Sequence, residues 1–127
     1  MAKSRKFTVS AVSDGSGDGT FYTPYVTGYI ETVEYVKPGS DSYTDGVDFT
    51  IRTETTGEDL WVDTNINASE VVRPRAATCT TAGVAALYAA SGAVNDRIAV
   101  SRDRVKIIIG SAGATKSGSF VIVVADA

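Results

Sequence analysis

The sequence contains no histidine and a single cysteine, Cys79. Without histidine the chain cannot form a Ser-His-Asp triad, a Cys-His pair or a histidine-ligated metal site. A single cysteine also excludes an intramolecular disulfide and a thiolate zinc site. The nearest basic residue in the sequence is Arg75, and a reactive thiol needs a base or cation beside it. We therefore expect Cys79 to be a buried small side chain.

Leucine is nearly absent, with 2 residues in 127, whereas valine, isoleucine and threonine number 16, 8 and 15. β-branched side chains are stiff at χ1 and fit a pleated surface. The 12 glycines supply turns, and the apolar segments recur about every 8–12 residues, which is typical of antiparallel β-proteins. The composition therefore predicts an all-β fold, either an antiparallel β-sandwich or a jelly-roll-like barrel.

Several strands can be placed individually. Residues 47–54 alternate apolar and polar side chains, and the turn that follows predicts a hairpin with residues 59–63. Residues 119–125 are apolar on both faces, as in a strand that is central in its sheet or covered by a partner. Gly28 interrupts a strand-rich stretch, so we expect a bend or bulge there.

One helix is predicted within this β-fold. Residues 76–93 are rich in alanine, and apolar side chains at helical spacing predict a short helix from about Thr81 to Ala90. The length fits one domain. We therefore divide the chain into a basic N-terminal arm, residues 1–6, and a single β-sandwich domain, residues 7–127.

Long apolar runs are also lacking. The longest, Phe120 to Ala125, is far shorter than the roughly 20 residues of a membrane helix. The N-terminal residues contain no apolar region of a secretory signal, so we expect folding in a reducing cytoplasm.

The net charge of −3 argues against direct nucleic-acid binding. Residues 1–64 carry −6 and residues 65–127 carry +3. Copies could therefore meet head to tail, unless interleaved strands mix the two halves.

Two acidic patterns in the sequence could form a functional site. The segment Asp14–Gly19 matches the first half of a calcium loop, but Tyr25 stands where the bidentate carboxylate belongs. A plain Gly/Asp turn is the favoured interpretation. The remaining carboxylates lie in turns or on polar strand faces and indicate solvated surface. We expect no catalytic residue, metal or cofactor.

The candidate partner-binding residues are basic or aromatic. Arginine grips carboxylates bidentately, and tryptophan often anchors interfaces. Arg73 and Arg75 flank Pro74, which holds them in an extended segment. The alternatives are ordinary surface arginines and a core aromatic. The complete set of candidates comprises Lys3, Arg5, Lys6, Trp61, Arg73 and Arg75.

Residues 45–124 resemble small virion proteins of tailed bacteriophages. The resemblance lies in residues 44–51, 56–61, 86–90, 96–98 and 104–107. It implies a virion part encoded among head-assembly genes, either a capsid decoration (cement) protein or a neck component between head and tail. It implies no catalytic residues.

These observations together predict a non-enzymatic structural protein of a phage virion. We favour a decoration protein that bridges major capsid subunits as a homo-oligomer, with a trimer at three-fold positions as the natural arrangement. The alternatives are a head-tail neck (connector) component and a sugar-binding β-sandwich in which Trp61 and exposed tyrosines stack on the ligand. A hydrolase that uses Asp59 or Asp63 is the least favoured interpretation.

Overall fold

The computed structural model describes residues 3–84, 86, 87, 92 and 94–126. These residues form ten β-strands, and the described part of the chain contains no helix that could span a membrane. The strands are β1 (Ser4–Val12), β2 (Gly19–Tyr22), β3 (Val26–Val36), β4 (Val47–Thr53), β5 (Asp59–Ile66), β6 (Glu70–Val72), β7 (Arg75–Ala77), β8 (Asn95–Asp103), β9 (Val105–Gly110) and β10 (Ser117–Ala125).

The strands form two antiparallel sheets. Sheet A has the order β1-β10-β3-β8-β7, with β6 pairing beside β8 on the same side of β3. Sheet B has the order β2-β9-β4-β5. Most of the connections cross from one sheet to the other, as between β1 and β2, β2 and β3, and β9 and β10. The predicted all-β fold is confirmed, and its architecture is consistent with a β-sandwich.

The core lies between the two sheets and is centred on aromatic side chains. The Phe49 ring of sheet B packs edge-on against Tyr35 and Phe120 of sheet A, with centroids 4.9 and 5.0 Å apart. Tyr43, in the loop before β4, stacks on Tyr35 and donates a hydrogen bond to the buried carbonyl of Ala11 at 2.6 Å. Burial raises the pKa of the Tyr43 phenol, so it remains a donor at any ordinary pH. β-branched residues fill the rest of the core.

The expectations for individual strands are largely confirmed. β4 and β5 form the predicted hairpin, and the inward-facing residues of β4 are buried while the outward-facing ones are half-buried. β10 is central in sheet A, between β1 and β3, as its two apolar faces indicated. The register of β3 with β8 shifts between Val26 and Gly28, so the predicted irregularity at Gly28 is present.

The predicted helix over residues 81–90 is not seen. Residues 85 and 88–90 lie outside the described residues, but those before them form a turn. The Thr80 N–H donates forward to the Val84 carbonyl, and the Ala86 N–H donates back to Thr78. A helix needs each N–H to reach the carbonyl four residues earlier. Clustered threonines and Gly83 favour this hairpin-like turn over a helix.

The start of the chain is more regular than a solvated arm. β1 begins at Ser4, so Arg5 and Lys6 of the predicted arm are strand residues paired with Val124 and Val123 of β10. The pairing extends one residue further, because the Asp126 N–H donates to the Lys3 carbonyl at 2.6 Å. Residues 3–6 therefore belong to sheet A.

Candidate interaction surface

A cluster of charged and aromatic side chains lies on the outer face of sheet A. We call Tyr29, Glu31, Arg75 and Arg97 the Glu31 cluster. Arg97 donates to the Glu31 carboxylate at 2.9 Å and lies over the Tyr29 ring, 4.2 Å from its centroid. Arg75 approaches the same carboxylate at 3.8 Å. The hydrogen bond from Arg97 to Glu31 raises the pKa of the guanidinium. Two cations, Arg75 and Arg97, share the one anion Glu31, so the cluster has a net positive charge.

A shallow depression of about 380 Å³ opens beside this cluster. Lys3, Ser4, Glu31 and Arg97 line it together with Val123 and Ala125 of β10. Its lining combines charged and apolar side chains, and protein interfaces contain both kinds. The depression is open, so it fits a side chain or loop of a partner better than an enclosed small molecule.

The structure brings some of the predicted interface residues together. Lys3 lines the depression, and Arg75 is joined to it through Glu31. Arg5 is exposed and lies 3.6 Å from the Asp126 carboxylate, while Lys6 is exposed on β1. These four residues therefore lie on sheet A, although Arg75 is about 70 positions from the other three in the sequence.

Two other candidates are placed differently. The Trp61 side chain is 6% exposed and packs edge-on against Phe49 with centroids 5.3 Å apart. Of the two interpretations of Trp61, interface anchor and core aromatic, its burial fits the second. Arg73 is exposed in the short segment between β6 and β7, where Pro74 is buried. Pro74 thus anchors an extended segment that presents Arg73 to solvent.

A second aromatic cluster, which the sequence did not single out, lies at the β2–β3 connection. We call Tyr22, Tyr25, Glu54 and Arg104 the Tyr25 corner. Arg104 binds the Glu54 carboxylate bidentately at 2.8 and 3.0 Å and lies 3.9 and 5.1 Å from the centroids of Tyr22 and Tyr25. The hydrogen bond from Arg104 lowers the pKa of Glu54. Tyr25 is 61% exposed. Tyrosine and arginine are enriched at interface hot spots, so this corner is a candidate contact.

A buried carboxylate holds the loop beneath the Tyr25 corner. Asp103, which is 3% exposed, accepts hydrogen bonds from the N–H groups of Thr55, Arg104 and Thr56 at 3.0, 2.8 and 3.4 Å. Burial alone would raise the pKa of the Asp103 carboxyl, but the donated N–H groups outweigh it and lower the pKa. Asp103 therefore ties the β4–β5 turn to the end of β8 as a carboxylate.

The remaining sequence candidates have structural roles. Asp14 accepts from the N–H groups of Ser16 and Asp18 at 2.8 and 3.0 Å, which lowers its pKa and makes the segment an ordinary Asx turn. Among the described residues there is no group of three or more potential metal-binding side chains. Cys79 is exposed, so the expectation that it is buried is wrong, because it lies beside the exposed turn at residues 80–84.

The residues that sequence reasoning missed depend on strand pairing. Alternation along β8 places Arg97 on the face opposite Ile98, and this much the sequence does indicate. The neighbour of Arg97, however, is set by the register of β8 with β3, which places Tyr29 opposite Ala99. No local pattern in the sequence encodes that register.

Comparisons with known proteins add little. No family model matches the chain, and no curated protein matches it either. Among solved structures, the crystal structure of FLHE is similar over 97% of this chain and 96% of that chain, with a TM-score of 0.45 and 10% sequence identity. A likeness at this TM-score assigns neither a family nor a function to the chain.

Proposed function

We propose that this protein is a non-enzymatic structural component of a phage virion that binds the outer capsid as a decoration protein. It bridges major capsid subunits and stabilises the shell against the pressure of packaged DNA. It acts as a homo-oligomer, with a trimer at three-fold positions as the first expectation. The resemblance of residues 45–124 to small phage virion proteins supports this proposal.

The observation that carries the proposal is the strand order. We interpret the strand order as that of a jelly roll, with β1-β10-β3-β8 in one sheet and β2-β9-β4-β5 in the other. Jelly rolls form many viral capsid domains, as well as lectins and cupins. A fold alone does not define a function. It is the strand order together with the sequence resemblance that favours a capsid role.

The exposed surface is suited to binding other proteins. The Glu31 cluster and the Tyr25 corner each present an arginine over a tyrosine ring, and exposed apolar residues include Val36, Val62 and Val71. Scattered side chains of this kind make each contact modest. Many copies on a lattice gain avidity from multivalency, so a decoration protein does not need one large interface.

The test is electron cryomicroscopy of phage particles that encode this chain, compared with particles from which the gene is deleted. We expect particles with the gene to show additional density at many symmetry-related positions on the capsid exterior. Particles without the gene should release their DNA at a lower temperature. Purified protein added back should restore both properties. Density confined to a ring at one vertex would contradict the decoration role and favour the neck role, and absence from particles would contradict both.

The Tyr25 corner offers a variant for the same assay. Tyr25→Ala removes an exposed ring and should weaken binding of the added protein to particles that lack it, because exposed tyrosines are common interface hot spots. Val84→Ala is a matched control, since Val84 is similarly exposed, at 63% against 61%, but lies in the turn at residues 80–84. Equal binding by both variants would remove the Tyr25 corner from the proposed contact.

A further inference from the structure

We propose that two copies of this chain pair through the free edge of β1, antiparallel and about a two-fold axis at Thr8. The inference concerns self-association and does not rest on the virion role. Pairing through β1 would join sheet A of one copy to sheet A of the other. The remaining surfaces, including any used for a three-fold contact, stay free.

Among the described residues β1 is the longest and most regular edge strand, and its charged residues, Arg5 and Lys6, lie at one end. Natural proteins blunt sheet edges by making them short, bulged or charged. β2 and β7 have four and three residues, and β5 is interrupted by two shifts in its register with β4. β1 has nine residues and pairs with β10 without any shift. It is therefore a long and regular template for another strand.

The hydrogen-bonding groups at this edge can be assigned. The Asp126 N–H donates to the Lys3 carbonyl, and the Ser13 N–H donates to the Lys116 carbonyl. The backbone N–H and carbonyl groups of the odd-numbered residues of β1 therefore point toward β10. The even-numbered residues then direct both N–H and carbonyl outward, as antiparallel pairing requires. They are Ser4, Lys6, Thr8, Ser10 and Val12, and all are exposed. Within the described part of the chain, these outward groups receive no hydrogen bond from another segment.

Placing the axis at Thr8 uses the whole strand, since Thr8 is the middle residue of Ser4–Val12. Thr8 then faces Thr8 of the second copy as a hydrogen-bonded pair, and Lys6 faces Ser10. On the inner face Phe7 meets Val9 of the second copy. These two side chains are only half-buried at the margin of the core, so pairing would cover them. A one-residue slip would oppose outward-facing groups to groups already bonded to β10.

Charge complementarity also supports this register. The strand begins with basic residues, including Lys3 and Lys6, and is followed by a turn that contains Asp14 and Asp18. In the antiparallel pair Lys3 lies opposite Ser13 of the second copy, directly beside Asp14. The two Lys6 residues are separated by four residues along the strand, about 14 Å, which exceeds the Debye length at physiological salt. Opposite charges therefore meet at both ends while like charges stay apart.

The first test is sedimentation equilibrium of the full chain across the micromolar range. We expect a dimer or a multiple of it, and Thr8→Lys should raise the dimer dissociation constant by at least about tenfold because two cations would face each other on the axis. The matched control is Thr64→Lys, another exposed threonine on an edge strand, which should leave association unchanged. A wild-type monomer or a trimer alone, or equal effects of the two substitutions, would overturn the proposal.

Cross-linking tests the register without relying on a charged variant. In a Cys79→Ser background, Thr8→Cys places two thiols in a pair whose Cα atoms are about 5.5 Å apart, within disulfide range. We expect a covalent dimer on oxidation with diamide. Ser10→Cys in the same background should not cross-link, since its copies would lie about 14 Å apart. Cross-linking of Ser10→Cys and not of Thr8→Cys, or of neither, would overturn the proposed pairing.

Discussion

The packing of β3 against β10 can be tested by adding one methyl group at Gly28. This residue is buried with φ +141°, a conformation that side chains rarely adopt. A Cβ atom there would lie inside contact distance of the Ala125 carbonyl oxygen and 3.1 Å from a Val124 methyl. Backbone strain costs about 1–3 kcal/mol and overpacking a similar amount, so we expect Gly28→Ala to lower the free energy of unfolding by about 4 kcal/mol.

The assay is urea denaturation followed by the fluorescence of Trp61, the single tryptophan of the chain. A loss of about 4 kcal/mol should also lower Tm by roughly 15 °C in a domain of this size. Gly57→Ala is the matched control, because Gly57 has φ +68° with no atom within 4 Å of the added methyl. It should cost only the backbone strain, about 1–2 kcal/mol. Equal losses for the two variants would refute the close approach of β10 to Gly28.

Three further changes test the core and the buried carboxylate. Tyr43→Phe removes the hydrogen bond to the Ala11 carbonyl and should cost about 1–1.5 kcal/mol in urea denaturation, and an unchanged midpoint would contradict this role. The lowered pKa of Asp103 means that its stabilisation is complete above about pH 4 and is lost as the pH falls through the folded-state pKa. Asp103→Asn should therefore weaken the fold at pH 7 and flatten the acid limb of a stability-against-pH curve, and a parallel shift of the whole curve would argue against it. Trp61→Ala should cost about 3–5 kcal/mol, measured by thermal circular dichroism, because it empties space beside Phe49, and a negligible loss would contradict the burial of this ring.

The features of the fold that could be predicted from sequence are local ones. Alternation in Val47–Thr53 and the turn after it specify a hairpin without knowledge of any other strand. The two apolar faces of residues 119–125 likewise predict either a central strand or one covered by a partner, and the central position is the one observed. Both inferences use side-chain periodicity, which reports burial directly.

The incorrect expectations arose where local propensity competes with tertiary context. Alanine and apolar spacing favoured a helix over residues 81–90, but the threonines and Gly83 form a turn in the described part of that segment. The lack of a basic residue nearer than Arg75 favours a buried, unreactive Cys79, yet this residue is exposed beside that turn. Neither outcome depends on the residue alone, because a neighbouring segment decides whether either position is covered.

The candidate surface was the least predictable feature. Lys3 and Arg75 were identified as basic residues, but their common neighbour Glu31 was not, because it joins them only through the pairing of β3. The Tyr25 corner was missed for the same reason, since Arg104 reaches Tyr22 only through the pairing of β9 with β2. The register between strands that are distant in the chain cannot be predicted from a single sequence.

The place of β10 in sheet A has a consequence for synthesis on the ribosome. The strand that pairs with β1 is made more than 100 residues after it. Until residues 117–125 leave the exit tunnel, both β1 and β3 expose edges that β10 will occupy. The nascent chain must therefore be kept from premature strand pairing until β10 has been made, and sheet A closes only after that point.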